Sequence, residues 1–312
     1  MGGCSDHGLE NHSSRQLNAR DLVFTRNGAV RAPWRVVIFA GVVVVSYLVC
    51  AGVFGPLIAS AFRLTGLAGV STEPLVSAIA LLIATWLCLT AIDKRPMSDV
   101  WLDANAARPA LVLMGFVIGA LAIGLPIIAL IGTGWLREMA SAPGSWWGAT
   151  IRVSVLLIPA ALSEELMFRG YLLSVLRGSW GWPWAIAVTS ICFGLLHLAN
   201  PGANVGSLSM VTLAGFFLAS VVYRTRSLYA AWAAHFAWNW VMAAIFHASV
   251  SGLPLESPGY RYVDAGPDWA TGGQWGPEGG IPAALGMAAG IALLVFRRGK
   301  RTGDVNTTQE NA

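Results

Sequence analysis

Three short stretches set polar side chains inside otherwise apolar sequence. SEELMFRGYLL (163–173) carries Glu164, Glu165 and Arg169, FGLLH ends on His197, and HFAWN holds His235 and Asn239. An ionisable residue within a membrane helix costs roughly 2.5–3.5 kcal/mol on insertion scales, so its presence there is first of all a question about function. Glu165 and Arg169 are four residues apart with the acid on the N-terminal side, the favourable order for a helical ion pair. Glu164 points about 100° away from that pair, which leaves it without a cation on its own helix. His235 and Asn239 are also four apart and share a helix face.

Such a set suggests hydrolysis. A carboxylate in an apolar pocket can act as general base on a water, and an imidazole can orient that water or protonate a leaving amine. A second imidazole and a carboxamide can donate to the oxyanion that develops on an attacked carbonyl. The candidate catalytic residues are therefore Glu164, His197, His235 and Asn239, with Glu165, Arg169 and Phe193 as structural support. Glu164, His197 and His235 could instead hold a divalent metal such as zinc, leaving a position open for water. The metal reading lacks an H-E-x-x-H pattern and draws its ligands from three segments. A site without a cofactor is preferred, although the residues alone do not decide.

These side chains can meet only if separate helices bring them to one depth, and the composition supplies the helices. The chain has 312 residues, 55% hydrophobic and only 12% charged, where soluble domains carry about 25% charged residues. Apolar runs long enough to cross a bilayer recur at 34–61, 74–92, 109–131, 146–176, 183–199, 206–223, 228–248 and 281–297. They lack the period-2 alternation of barrel strands. The expected fold is all-α, a polytopic membrane bundle of about eight transmembrane helices. Glu164 lies thirteen residues from Arg177 and His197 fourteen from Pro183, each about 20 Å along its helix. Asn239 lies thirteen residues from Arg226, a similar rise, which puts His235 about one turn below the others.

The three stretches resemble the E-E-x-x-x-R, F-x-x-x-H and H-x-x-x-N/B motifs of the CPBP family of intramembrane proteases. That family includes type II CaaX prenyl endopeptidases and the bacteriocin-processing Abi proteins. The motifs stand in order across residues 164–239. The resemblance implies an eight-helix membrane core, water activated by Glu164 and His197, and oxyanion donation by His235 and Asn239. TGGQWGPEGG (271–280) is also similar to a segment of bacterial members.

The expected layout is a cytoplasmic polar tail at 1–32, a membrane-embedded protease domain at 33–298 with its motif core at 146–248, and a cytoplasmic tail at 299–312. An N-terminus inside places most basic residues in the cytoplasm, among them Arg35, Arg95, Arg108, Arg177, Arg226, Arg297, Arg298, Lys300 and Arg301. Arg63, Arg137 and Arg261 are left outside, so the positive-inside rule puts both termini in the cytoplasm of a plasma-membrane protein. The net charge of +4 is explained by these basic ends beside an anionic leaflet and calls for no nucleic acid. The expected partners are the lipid bilayer and a membrane protein or peptide substrate. The connector 249–280 is read as either a functional lid or a disordered excursion, and His247 as an interfacial residue. Two other functions compete with proteolysis. A non-catalytic, immunity-type scaffold would be indifferent to loss of the Glu164 carboxylate, and a proton-coupled transporter would be expected to show internal repeats, which are not evident.

Overall fold

The apolar runs are helices. The computed structural model describes residues 19–25 and 27–296; most of the two predicted tails, with Arg297, Arg298, Lys300 and Arg301, lies outside the described residues. In chain order the helices are α1 (Ala19–Val23), α2 (Ala32–Leu64), α3 (Glu73–Leu87), α4 (Pro109–Gly132), α5 (Trp146–Glu165), α6 (Leu172–Leu196), α7 (Val205–Thr225), α8 (Leu228–Trp240), α9 (Asp268–Thr271) and α10 (Ile281–Phe296). Wider π-helical turns extend α3 over Cys88–Asp93, α5 over Leu166–Tyr171 and α8 over Val241–Ile245. Sequence signals start the helices. Proline stands in the first turn of α2, α3 and α4, where its missing N–H costs nothing. Ser145 and Ser227 accept from the first-turn amides of α5 and α8, and Asn204 and Ser207 form a reciprocal capping box at α7.

Five elements are long and apolar enough to cross a membrane: Ala32–Leu64, Glu73–Asp93, Pro109–Gly132, Trp146–Ala199 and Val205–Thr225. The protein is an all-α polytopic membrane protein. All eight predicted stretches are helical. Trp146–Ala199 contains two of them, and the other two are the shorter α8 and α10. In α8 the apolar character is diluted by His235, Asn239 and three tryptophans. At 54 residues, Trp146–Ala199 would be about 80 Å long if straight, far beyond a hydrocarbon core of about 30 Å. It reverses at Gly181, whose backbone (φ 75, ψ 176) is open only to glycine. Glu164 is seventeen residues before that reversal and His197 sixteen after it, so the hairpin returns the two to one level.

The bundle interior is tight. On α4, a Cβ added to Gly115 would lie 2.0 Å from the Ala230 carbonyl oxygen, and one on Gly119 2.1 Å from that of Ala234. Two glycines four apart against two alanines four apart let α4 and α8 approach backbone to backbone, the small-residue packing of membrane helices. By contrast α2 exposes Val37, Val44, Leu48 and Leu57, the surface expected where lipid is the solvent.

The connector 249–280 is folded. Tyr260–Asp264 forms a strand, β2, antiparallel to β1 (Leu136–Ala140) in the loop before α5, with Leu136 opposite Asp264 and Ala140 opposite Tyr260. Neither strand is evident from the apolar pattern. Arg152 near the start of α5 pairs with Glu256, and Trp275 is 1% exposed. His247 is a correction to the sequence reading: the folded connector buries it, with its ring stacked on Tyr260 and its Nδ1–H donating to the Tyr260 carbonyl at 2.7 Å.

Candidate active site

Glu164 and Glu165 end α5, immediately before the π-helical turn. His197 caps the C-terminus of α6, and His235 and Asn239 lie one turn apart on α8. Glu164 Oε2 is 3.7 Å from His235 Nε2 and 4.0 Å from His197 Nε2. These separations are too long for direct hydrogen bonds and short enough for one small species to touch all three atoms.

The outer ring nitrogens fix the tautomers. His197 Nδ1 lies 2.9 Å from the Phe193 carbonyl oxygen, and His235 Nδ1 lies 2.9 Å from Glu165 Oε1. Both partners only accept, so each Nδ1 carries a proton, and in the neutral form of each ring the Nε2 lone pair is turned towards Glu164. Glu164 Oε2 is itself buried and has no hydrogen-bond partner among the described residues. With both rings neutral, three acceptors face one point.

Glu165 and Arg169 pair at 3.1 Å and both are fully buried. The same carboxylate oxygen also receives the His235 N–H, so Glu165 links the ion pair to the imidazole. Arg169 donates further to the Gly215 carbonyl at 3.2 Å and lies 4.2 Å over the Phe193 ring. Phe193 packs edge-on to both imidazoles, with centroids 5.0 Å from His197 and 5.9 Å from His235. Asn239 shares a cavity wall with His197 and His235, whereas Glu164 lines a groove with Glu73, Ser77 and Leu196. The cavity holds about 30 Å³, enough for at least one water, which needs roughly 10–15 Å³.

His235 reaches Glu164 although residue counting placed it a turn below. The α7–α8 turn is inside the bundle, with Ser227 and Leu228 fully buried, while the hairpin tip at 178–181 is exposed. The Leu228 amide donates to the Trp101 carbonyl, so the start of α8 is tied to the segment between α3 and α4.

Sequence reasoning missed two features. One is the Glu165–His235 bond, since i,i+4 pairing alone already satisfied Glu165. The other is Glu278, which lines the same cavity as His197, His235 and Asn239. Its signal was the acid within the Gly-, Pro- and Trp-rich stretch TGGQWGPEGG of an otherwise solvent-like loop.

Among the described residues, no group of three or more His, Cys, Asp or Glu side chains is arranged to hold a metal ion. The donor types nevertheless fit one. Two imidazole lone pairs and a carboxylate oxygen converge, and each Nδ1–H is held by a carbonyl or carboxylate, as in the outer shell of metal-binding histidines.

Residues 145–241 match the family profile described as Rce1-like, type II CAAX prenyl endopeptidase. This segment is similar to the CPBP family, to which that profile belongs. The CPBP match runs from the cap of α5 to the end of α8, so it contains Glu164, Glu165, Arg169, Phe193, His197, His235 and Asn239 and stops short of Glu278. In general terms the family is one of CAAX protease-type intramembrane endopeptidases, which act on membrane-embedded substrates. No curated protein matches the chain.

Proposed function

We propose that the protein is an intramembrane endopeptidase that hydrolyses peptide bonds of membrane-associated proteins or peptides with a water activated by Glu164. The supporting observation is the single carboxylate oxygen facing two bare imidazole nitrogens at 3.7 and 4.0 Å. A water placed there donates to Glu164 and to one Nε2. Glu164 removes its proton, and the hydroxide adds to the substrate carbonyl. The resulting oxyanion is met by the Asn239 amide and by His235 in the form that enters the reaction with both ring nitrogens protonated, its Nδ1–H staying on Glu165 and its Nε2–H donating. Collapse breaks the C–N bond, and the proton taken by Glu164 passes, directly or through His197 Nε2, to the leaving amine. One water is consumed, giving one carboxylic acid and one amine.

The same lone pairs support a second reading. Glu164, His197 and His235 would hold a divalent ion such as zinc, which would polarise the water or the scissile carbonyl. Stoichiometric zinc in purified protein, with activity lost to a chelator and restored by the ion, would replace the first reading.

The protein would act in the plasma membrane with both termini cytoplasmic, its 33–298 unit forming the protease body between the tails 1–32 and 299–312. The test is Glu164→Gln, which keeps size and removes the base. Comparison of membrane proteomes should show fragments made by the wild type and missing from the variant. A stably expressed variant that yields the same fragments, or retains the same biological activity, would indicate a non-catalytic scaffold.

A further inference from the structure

Glu278 is 8% exposed, yet its hydrogen-bond donors are neutral. Its Oε1 accepts from the Ser251 N–H at 2.6 Å and the Ser251 hydroxyl at 2.7 Å, and its Oε2 accepts from the Trp238 indole N–H at 2.8 Å. A buried carboxylate without a cation is an expensive choice for a loop anchor. What it supplies is two acceptor oxygens on one side chain, aimed at two different elements.

Those elements carry the candidate site. Trp238 stands on α8 between His235 and Asn239. On the other side, the Ser251 carbonyl accepts from Asn200 Nδ2 at 3.0 Å, and the Asn200 amide donates to the His197 carbonyl at 3.1 Å. Ser251 holds a left-handed backbone (φ 49), which aims its N–H and hydroxyl together at one carboxylate oxygen. A continuous run of hydrogen bonds therefore leads from the turn at His197 through Asn200, Ser251 and Glu278 to α8. The strap behind Glu278 is rigid. Trp275 is buried and its carbonyl accepts the Gly252 amide at 2.9 Å. A Cβ on Gly276 would sit 2.4 Å from the Ser249 carbonyl oxygen, which explains the glycine beside the buried Trp-Gly-Pro-Glu run.

We propose that Glu278 is a positioning residue for the hydrolysis described above, on which the proposal rests. It spans the His197 turn and α8 and so fixes the separation of the two imidazoles across from Glu164. It does so from outside the family-matched segment.

The choice of acid is testable by chemistry. Gln at 278 keeps the volume but has one acceptor oxygen and an N–H₂ group, so either Ser251 or Trp238 is left facing a donor. Adding Trp238→Phe removes the indole N–H and with it that conflict. The protein should be reconstituted in lipid nanodiscs. Three readouts apply: thermal unfolding, diethyl pyrocarbonate modification of His197 and His235 mapped by mass spectrometry, and turnover of a quenched fluorescent peptide that wild type cleaves and Glu164→Gln does not. Glu278→Gln should unfold near the wild-type temperature and lose about 10- to 100-fold in kcat, with KM within about threefold. Its modification rates at the two histidines should change, and Glu278→Gln/Trp238→Phe, which has no bond from residue 278 to α8, should not return to wild-type values. A folded Glu278→Gln protein with wild-type kcat and modification rates would overturn the proposal, as would wild-type values in the double variant. If Glu278→Gln does not fold, Trp238→Phe alone decides: it cuts one arm of the brace, and wild-type values in it would overturn the proposal equally. Peptide cleavage that persists in Glu164→Gln would sink the hydrolytic reading, whereas the modification rates judge the brace without any substrate.

Discussion

The two adjacent glutamates do different work because a helix turns them about 100° apart. Glu165 faces inward, where the Arg169 guanidinium and the His235 N–H both bond one of its oxygens in a fully buried setting. Glu164 faces the groove and the two Nε2 atoms, with a side chain 28% exposed and no donor to its Oε2 among the described residues. Their amide variants should therefore separate stability from chemistry. Glu165→Gln leaves a buried guanidinium without its counter-charge and should cost about 3–5 kcal/mol, the usual effect of removing one member of a buried pair. Glu164→Gln breaks no hydrogen bond within the protein and should change stability by less than about 1 kcal/mol. Thermal or denaturant unfolding in nanodiscs compares the two. Equal destabilisation would mean that Glu164 is also held by a partner and that the division of labour is wrong.

Helices deliver these side chains through two devices, the reversal at Gly181 and the close contact of α4 with α8. The contact sets where His235 stands, because Ala234, its neighbour, presses its carbonyl against Gly119. Gly119→Ala introduces a Cβ 2.1 Å from that oxygen, so α8 must move; the expected loss is about 1–3 kcal/mol, with proteolysis reduced as His235 shifts from Glu164. Gly41→Ala on α2, where nothing lies within 4 Å of the added carbon, should be neutral or slightly stabilising. Unfolding midpoints of the two variants give the comparison, and matching midpoints would remove the packing explanation. Much of this scale was legible in the sequence. Apolar length located all eight helical stretches, and counting along them matched Glu164 with His197, because the glycine reversal falls midway between the two. Counting set His235 a turn below Glu164, yet their side chains meet across 3.7 Å; counting assumes that every turn lies at the same depth, and the α7–α8 turn is buried. The connector failed for a different reason: the β1–β2 pairing and the docking of Glu278 are long-range contacts between segments without apolar periodicity, so no local pattern announces them.

At the scale of the molecule, the two ends of the bundle differ in chemistry. One end gathers Arg177 and Arg226 over the rings of Trp101 and Trp182, with Tyr223 packed on Trp182. The other carries the strand pair, the Arg152–Glu256 bridge and the strap that ends on Glu278. Cytoplasmic surfaces select arginine and lysine, and in the orientation proposed above the basic end faces inside and the strap outside. In that orientation the cavity beside His197 and His235 would lie under an extracytoplasmic cover, and soluble parts of a substrate would approach from that side. Single cysteines in a cysteine-free background can test this. Trp269 is 58% exposed at the strap end, and Asn105 is exposed in the segment between α3 and α4 at the basic end. A membrane-impermeant maleimide applied to intact cells should label Trp269→Cys and leave Asn105→Cys unlabelled until the cells are opened. The reverse pattern would turn the whole bundle over: substrates would then be cytoplasmic, and the charge bias of the ends would need a cause other than membrane insertion.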